Sequence, residues 1–216
     1  MDLRPSMELR VVSRNLYGWA SFHPQWKVDF NSYALKTAEG VVFIDPLKPG
    51  PEIIEKLEAL GEPIGILLTN AHHDRDADWF RKQYEIQVYA HEKSKADCDT
   101  KIDILLMDGE RLPGGVKAVH MPGSSAGETA FYAKPGGGIV LLGDTLMNQT
   151  DKGLTLLPEP YIEDKKQAVK SLHRLLNLNF NIITFAHGDP IVQNARNEIE
   201  RFLKKPKRKA HEPATQ

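Results

Sequence analysis

The chain has 216 residues, of which 41% are hydrophobic and 26% are charged, as in ordinary globular proteins with a sizeable core. Its formal net charge of −1 argues against a nucleic-acid binder that works through bulk electrostatics. The single cysteine, Cys98, excludes an intramolecular disulfide and a zinc site built from cysteines.

Secretory signals and membrane spans have recognisable sequence patterns. The N-terminal residues contain no apolar segment of the secretory type, and no run approaches the roughly 18 apolar residues of a membrane span. We therefore expect a cytoplasmic protein with neither a membrane nor a nucleic-acid partner. Without repeats or linker-like stretches, residues 1–204 are predicted to form one domain, and the basic stretch 205–216 a disordered tail.

Hydrophobic patterning predicts many strands and a few helices. An aromatic-rich passage near the N-terminus is interpreted as a hairpin that packs rings over a sheet, with a substrate cleft walled by those rings as the alternative. Predicted strands cover 8–13, 31–36, 41–44, 64–68, 86–90, 102–107, 116–121, 129–133, 139–142 and 181–186. Predicted helices cover 51–60, 76–83 and 164–176 and begin again near 194, with a helical or irregular piece at 93–100.

The central motif follows the apolar run 64–68 and has the sequence Thr-Asn-Ala-His-His-Asp-Arg-Asp over 69–76. A strand that ends in a polar turn before a helix is a suitable place for a site, because the helix N-terminus offers free N–H groups. Imidazole and carboxylate groups at this density are also what a divalent metal requires. Two more such groups, Asp144 and His187, follow other predicted strands.

The order of these motifs resembles the metallo-β-lactamase superfamily from about residue 8 to 204. The family's signature of T-H-x-H-x-D-H, then P-G-H-(S/T)-x-G, then G-D, then His-Gly corresponds here to 69–75, 122–127, 143–144 and 187–188. The resemblance implies an α/β fold of the α+β type, a four-layer αββα sandwich with its metals at one edge of two sheets.

The family's first metal position is lost in this chain. Usual dinuclear members hold that metal through two signature histidines and the histidine of P-G-H, but this chain has Asn70 and Ser124 at two of these three positions. Only His72 remains, and one imidazole does not hold zinc in a site with three protein ligands.

The second metal position is largely kept, and it defines the predicted metal site. Asp74, Asp144 and His187 match its ligands, while Arg75 replaces the remaining histidine. The resemblance therefore implies one divalent metal, with zinc expected and manganese or iron as alternatives, held by Asp74, Asp144 and His187. The Asn-x-His-x-Asp-Arg pattern is similar to that of the mononuclear metallo-β-lactamases.

The implied chemistry is hydrolysis of a small-molecule ester, lactone, thioester or amide by a metal-activated water. In this hypothesis His72 acts as general base or oxyanion donor, and Asp74 both binds the metal and orients the water. Asn70, Arg75 and Ser124 are assigned to substrate binding.

A second hypothesis is a catalytically inactive descendant of the fold with a binding or assembly role. Arg75 would then replace the charge of the metal by pairing with Asp74 or Asp144, and no metal would bind. His73 occupies a variable position of the signature, and we interpret it as a supporting or surface residue. The oligomeric state is not predicted.

Overall fold

The computed structural model describes residues 8–204, which form thirteen strands and four α-helices. The strands are β1 (Arg10–Ser13), β2 (Leu16–His23), β3 (Val28–Lys36), β4 (Val41–Ile44), β5 (Pro63–Leu67), β6 (Val88–His91), β7 (Ile104–Leu106), β8 (Lys117–His120), β9 (Thr129–Ala133), β10 (Ile139–Leu141), β11 (Met147–Gln149), β12 (Gly153–Thr155) and β13 (Ile182–Thr184). The helices are α1 (Pro51–Glu58), α2 (Ala77–Tyr84), α3 (Lys165–Leu175) and α4 (Ala195–Lys204).

The strands form two large sheets and one small one. The first sheet contains β1 to β7 in sequence order, antiparallel from β1 to β4 and parallel from β4 to β7. The second sheet has the order β13-β10-β9-β8, and its strands β10 and β13 are parallel. The third sheet pairs β11 with β12. Both large sheets are therefore mixed, since each contains antiparallel and parallel strand pairs.

Three hydrophobic cores define the layers. One core lies between the two large sheets and combines Leu35 and Val42 of the first with Phe131 and Leu141 of the second. A second core packs α1 and α2 on the outer face of the first sheet, and a third packs α3 and α4 on the outer face of the second. The αββα sandwich implied by the family resemblance is therefore confirmed.

Strand β4 shows how the sequence produces this packing. Its side chains alternate, with Val42 and Ile44 in the core between the sheets and Val41 and Phe43 against the helices. All four residues are buried, because both faces of this central strand are covered. The continuous apolar run is the sequence form of a strand buried on both faces.

Several predicted boundaries differ from the observed ones. The strands predicted at 102–107 and 181–186 are shorter, as β7 and β13. The piece predicted at 93–100 contains only the end of a short 3₁₀ helix, Glu92–Ser94. Strands β11 and β12 have three residues each, too few to give a periodic signal. The tail predicted at 205–216 lies outside the described residues, and no helix within 8–204 is long and apolar enough to cross a membrane.

The two large sheets are joined by hydrogen bonds at one edge. There the Asn31 N–H of β3 donates to the carbonyl of Ala186, which follows β13, at 2.9 Å. The Thr129 N–H of β9 donates to the carbonyl of Thr69, which follows β5, at 2.7 Å. The chain segments that leave β5, β10 and β13 are thereby held next to one another.

Candidate functional site

The turn after β5 determines which histidine enters this edge. Asn70 caps a 3₁₀ helix over Ala71–His73, and its Oδ1 accepts a hydrogen bond from the His72 N–H at 2.9 Å. In this turn His72 is exposed and His73 is buried. The interpretation of His73 as a surface residue is therefore wrong, because the capped turn directs its ring into the protein.

Three side chains converge at this edge of the sandwich. His73, Asp144 and His187 each offer one ligand atom, and these atoms all lie within 4.8 Å of one another. Asp144 is central: its Oδ2 lies 3.3 Å from His73 Nε2, and its Oδ1 lies 3.3 Å from His187 Nε2. Asp144 and His187 come from the second sheet and His73 from the first, so the group spans both sheets.

The other nitrogen of each imidazole is held by an acceptor. His73 Nδ1 lies 3.0 Å from Asp45 Oδ2 and 2.8 Å from the Thr69 hydroxyl, which itself lies 2.5 Å from the same carboxylate oxygen. His187 Nδ1 lies 2.8 Å from the carbonyl oxygen of Asp29. A carboxylate and a carbonyl only accept, so each Nδ1 carries a proton and each Nε2 faces Asp144.

This arrangement favours a cation between the three groups. Burial is the largest influence on the His73 pKa and lowers it, but the Asp144 and Asp45 carboxylates outweigh it and raise the pKa to about 9. Burial opposes ionisation of Asp144, yet His73 and His187 hold its pKa well below the ordinary value. Without an added cation, the proton on His73 Nε2 supplies the positive charge.

A metal ion suits the same donors. Asp144 Oδ1 is buried and makes no hydrogen bond within the described residues, and His187 Nε2, which is an acceptor only while its ring is neutral, lies 3.3 Å away. Two acceptors that face each other repel unless a cation or a proton lies between them. Two imidazole nitrogens and one carboxylate form a known type of open zinc site, and the Asp45 contact to His73 is the usual outer support of such a ligand.

Glu128 adds a buried acid that the sequence analysis missed. The Asn70 amide donates to Glu128 Oε2 at 3.0 Å and to Asp144 Oδ2 at 3.3 Å, so one side chain orients both carboxyl groups. Burial, followed by the Asp144 charge, raises the Glu128 pKa to about 8. Only its place between a glycine-rich turn and an apolar strand could have singled Glu128 out, and that signal is weak.

Asp74 lies outside the group of three, although it was predicted as a metal ligand and catalytic residue. Its Oδ2 accepts hydrogen bonds from the N–H groups of Asp99 and Thr100 at 2.8 and 2.9 Å. Its Oδ1 accepts from the Arg75 N–H at 2.7 Å. The short 3₁₀ turn brings His73 to the group instead and leaves the Asp74 carboxylate to fix the loop at 98–100.

Arg75 lies beside the group but does not pair with its carboxylates. Its Nη1 donates to the carbonyls of Asn31 and Asp45 at 2.6 and 3.1 Å. Within residues 8–204, Arg75 forms no ion pair with Asp74 or Asp144. Burial lowers the Arg75 pKa below its ordinary value, against the charges of Asp45 and Asp144.

A cavity of about 720 Å³ opens above these residues. Its polar part includes Asn70, Arg75 and Ser124, the three residues predicted to bind substrate, together with His72, the predicted general base. The aromatic hairpin contributes Trp26 and Phe30, so part of the passage walls the cleft, as the alternative interpretation proposed. The remaining wall is largely apolar and comprises Val28, Met147, Leu157, Pro158, Pro160, Tyr161 and Ile162, together with the polar Gln149 and Glu163.

Comparisons with known proteins agree with this architecture. The family model described as the metallo-beta-lactamase superfamily matches residues 9–204. DIM-1 metallo-beta-lactamase is 16% identical, with a TM-score of 0.76, over 94% of this chain and 98% of that one. A metallo-beta-lactamase from Pontibacter korlensis is 16% identical, with a TM-score of 0.73, over 92% and 99%.

A third similar solved structure contains bound iron. The protein TTHA1623, determined in a di-iron-bound form, is 25% identical to this chain, with a TM-score of 0.62. The match covers 78% of this chain and 91% of TTHA1623. No curated protein shows significant similarity to the sequence.

Proposed function

This chain belongs to the metallo-β-lactamase superfamily, and we propose that it is a mononuclear metal-dependent hydrolase of small esters, lactones, thioesters or amides. The observation that carries the proposal is the pair of acceptors Asp144 Oδ1 and His187 Nε2, which face each other at 3.3 Å beside His73. This arrangement suits a cation better than any neutral occupant.

In this proposal one divalent metal is held by His73, Asp144 and His187. His73 thus takes the ligand position that the sequence analysis gave to Asp74. Two nitrogen donors and one oxygen donor suit zinc, with manganese or iron as alternatives. A metal there would activate a water for attack on an electrophilic carbonyl carbon or phosphorus.

The protein's own groups would handle the proton and the substrate. His72 lines the cavity, is exposed, and its ring has no hydrogen-bond partner within the described residues, so it is free to accept a proton from the water or donate one to the leaving group. Asn70 orients Asp144 and Glu128 rather than the substrate. Ser124 and Arg75 remain as the proposed substrate contacts.

The inactive-protein hypothesis receives less support from the geometry. It requires the Arg75 guanidinium to pair with Asp74 or Asp144, whereas the Nη1 donors go to two main-chain carbonyls. Asp74 is already satisfied by main-chain N–H groups. The Asp144 carboxylate is therefore left with the two histidines.

We also propose a cytoplasmic location and a small-molecule substrate. The single cysteine leaves the chain without an intramolecular disulfide, as is usual in a reducing compartment. The cavity of about 720 Å³ has the size of a small-molecule site.

Metal analysis tests the proposal directly. The protein is expressed with added zinc or manganese, and its metal content and thermal stability are measured with and without a chelator. We expect a ratio near one metal per chain that falls strongly in Asp144→Asn, while Asp151→Asn at an exposed turn serves as the matched control. A protein without bound metal and without a metal-dependent shift in Tm would refute the hydrolase assignment.

A further inference from the structure

The charge of Arg75 is not paired with a carboxylate within the described residues. Its side chain lines the cavity and is half-buried, and it lies over the face of Phe30 with the guanidinium carbon 5.2 Å from the ring centroid. Among residues 8–204 it forms no ion pair, and Nη1 is the only guanidinium nitrogen with a hydrogen-bond partner. A partly buried guanidinium with free donors is best satisfied by an anion.

The backbone holds Arg75 in this position at some cost. Its φ of +40° lies in the left-handed region, which is unfavourable for a side chain of this size. The Arg75 N–H donates to Asp74 Oδ1, and Nη1 is fixed by Asn31 and Asp45. The guanidinium is therefore pre-oriented, so little side-chain entropy would be lost when a ligand binds.

Two serine hydroxyls on the same cavity also lack partners. The Oγ atoms of Ser124 and Ser125 are buried and make no hydrogen bond within the described residues, although both residues line the cavity. The Ser124 hydroxyl lies near enough to the Glu128 carboxyl to lower the pKa of that acid, although its Oγ has no hydrogen-bond partner of regular geometry within the described residues. A buried hydroxyl without a partner destabilises the fold, and a ligand oxygen at this position would remove that cost by accepting its hydrogen bond.

The turn that carries these serines is firmly anchored. Gly123 has a φ of +138°, and a Cβ placed there would lie 2.2 Å from the Ala168 nitrogen of α3. The carbonyls of Gly123 and Ser124 accept hydrogen bonds from the N–H groups of Asp164 and Glu163 at 2.8 and 3.2 Å. The hydroxyls are thus presented by a fixed element rather than by an adaptable loop.

We propose that Arg75 and the hydroxyls of Ser124 and Ser125 bind an anionic oxygen group of the substrate, a carboxylate or a phosphate. The other acids of the cavity are Asp144, Glu128 and the exposed Glu163, and none of them forms an ion pair with Arg75 within the described residues. Asp144 contacts two histidines, and Glu128 is held by Asn70 and Thr145. Together with the apolar wall, this describes a substrate with an anionic head and an apolar remainder.

The inference rests on the proposed hydrolase function, because it assigns the substrate class of that same cavity. Its test therefore uses the metal-free protein and an anion alone. Inorganic phosphate is titrated by calorimetry into chelator-treated protein at constant ionic strength, and acetate then replaces phosphate to separate the two anion sources. Metal content is measured on a separate sample.

We expect phosphate or acetate to bind the wild-type protein and Arg75→Gln to weaken that binding by about tenfold or more. The double variant of Ser124→Ala with Ser125→Ala should weaken it by a smaller factor. Arg201→Gln, at an exposed position on α4, is the matched control and should bind as the wild type does.

Several results would overturn the proposal. The proposal is refuted if neither anion binds the wild-type protein, or if a folded Arg75→Gln binds the anion as the wild type does. It is also refuted if Arg201→Gln loses as much anion affinity as Arg75→Gln. If Arg75→Gln does not fold, the double serine variant decides, and unchanged binding by it refutes the site. Anion binding without metal binding would sink only the hydrolase proposal, whereas metal binding without anion binding would sink only this one.

Discussion

Asp45 Oδ2 lies 3.0 Å from His73 Nδ1 on the side of the ring that faces away from Asp144. The same carboxylate accepts hydrogen bonds from the Thr69 N–H and hydroxyl, so its position is fixed by three donors. Asp45 thereby sets both the tautomer and the orientation of the imidazole.

Asp45→Asn is the variant that isolates this contact. An amide of the same shape forms a weaker hydrogen bond with the His73 Nδ1–H and carries no negative charge. Metal affinity should therefore fall by about 10- to 100-fold. Competition with a chromophoric chelator gives the dissociation constant. Asp97→Asn, at an exposed position, is the control, and equal effects in both variants would contradict the role given to Asp45.

Metal affinity should depend on pH through His73. Its pKa is raised to about 9, so at neutral pH a metal must displace the proton from Nε2. Apparent affinity should therefore rise with pH by about tenfold per unit below pH 9 for this one proton, and then level off. An affinity constant between pH 6.5 and 8.5 would show that His73 is not a ligand.

The stability of the metal-free protein should also depend on pH through His73. The folded-state pKa of His73 exceeds its unfolded value, so the protonated ring stabilises the fold fully below about pH 6.5. That contribution is lost as the pH rises towards 9. Chelator-treated protein should lose Tm over this window, and bound metal should remove the loss.

Protonation of His91 should have the opposite effect on stability, because it should destabilise the fold at acidic pH. Its ring stacks on His120 with centroids 3.8 Å apart, and burial, followed by the His120 charge, lowers its pKa to about 4. The unfolded chain therefore binds more protons between about pH 6.5 and 4, and stability falls as the pH falls through that range. His91→Gln should reduce this acid-side loss of Tm, whereas His173→Gln, an exposed control, should leave it unchanged.

Gly188 offers a backbone test of how His187 is placed. Its φ is +86°, and a Cβ would lie 1.9 Å from the carbonyl oxygen of Asn148. Gly188→Ala should therefore cost about 3 kcal/mol or more. Gly153→Ala, with a φ of +67° and no atom within 4 Å, should cost only about 1 kcal/mol by urea unfolding. Similar costs for both would contradict the close packing at Gly188.

The motifs carry enough information to predict the fold, because each follows an apolar run in the family's order. Asp144 and His187 could be singled out from sequence since each stands directly after such a run. The choice between His73 and Asp74 could not, because it depends on a 3₁₀ turn capped by Asn70 that spacing does not specify. The left-handed backbone of Arg75 leaves no sequence signal either, since it depends on contacts with Asn31 and Asp45.

His73, Asp144 and His187 come from both sheets of the sandwich, so an ion bound by them would also connect the two sheets. An ion coordinated by His73 on one sheet and His187 on the other would act as a clasp across the open edge of the sandwich. Its binding energy would resist separation of the sheets, by about 2.7 kcal/mol at a free concentration 100 times the dissociation constant. Backbone amides along β5 and β13 should then exchange their hydrogens more slowly in the loaded protein, in step with one another.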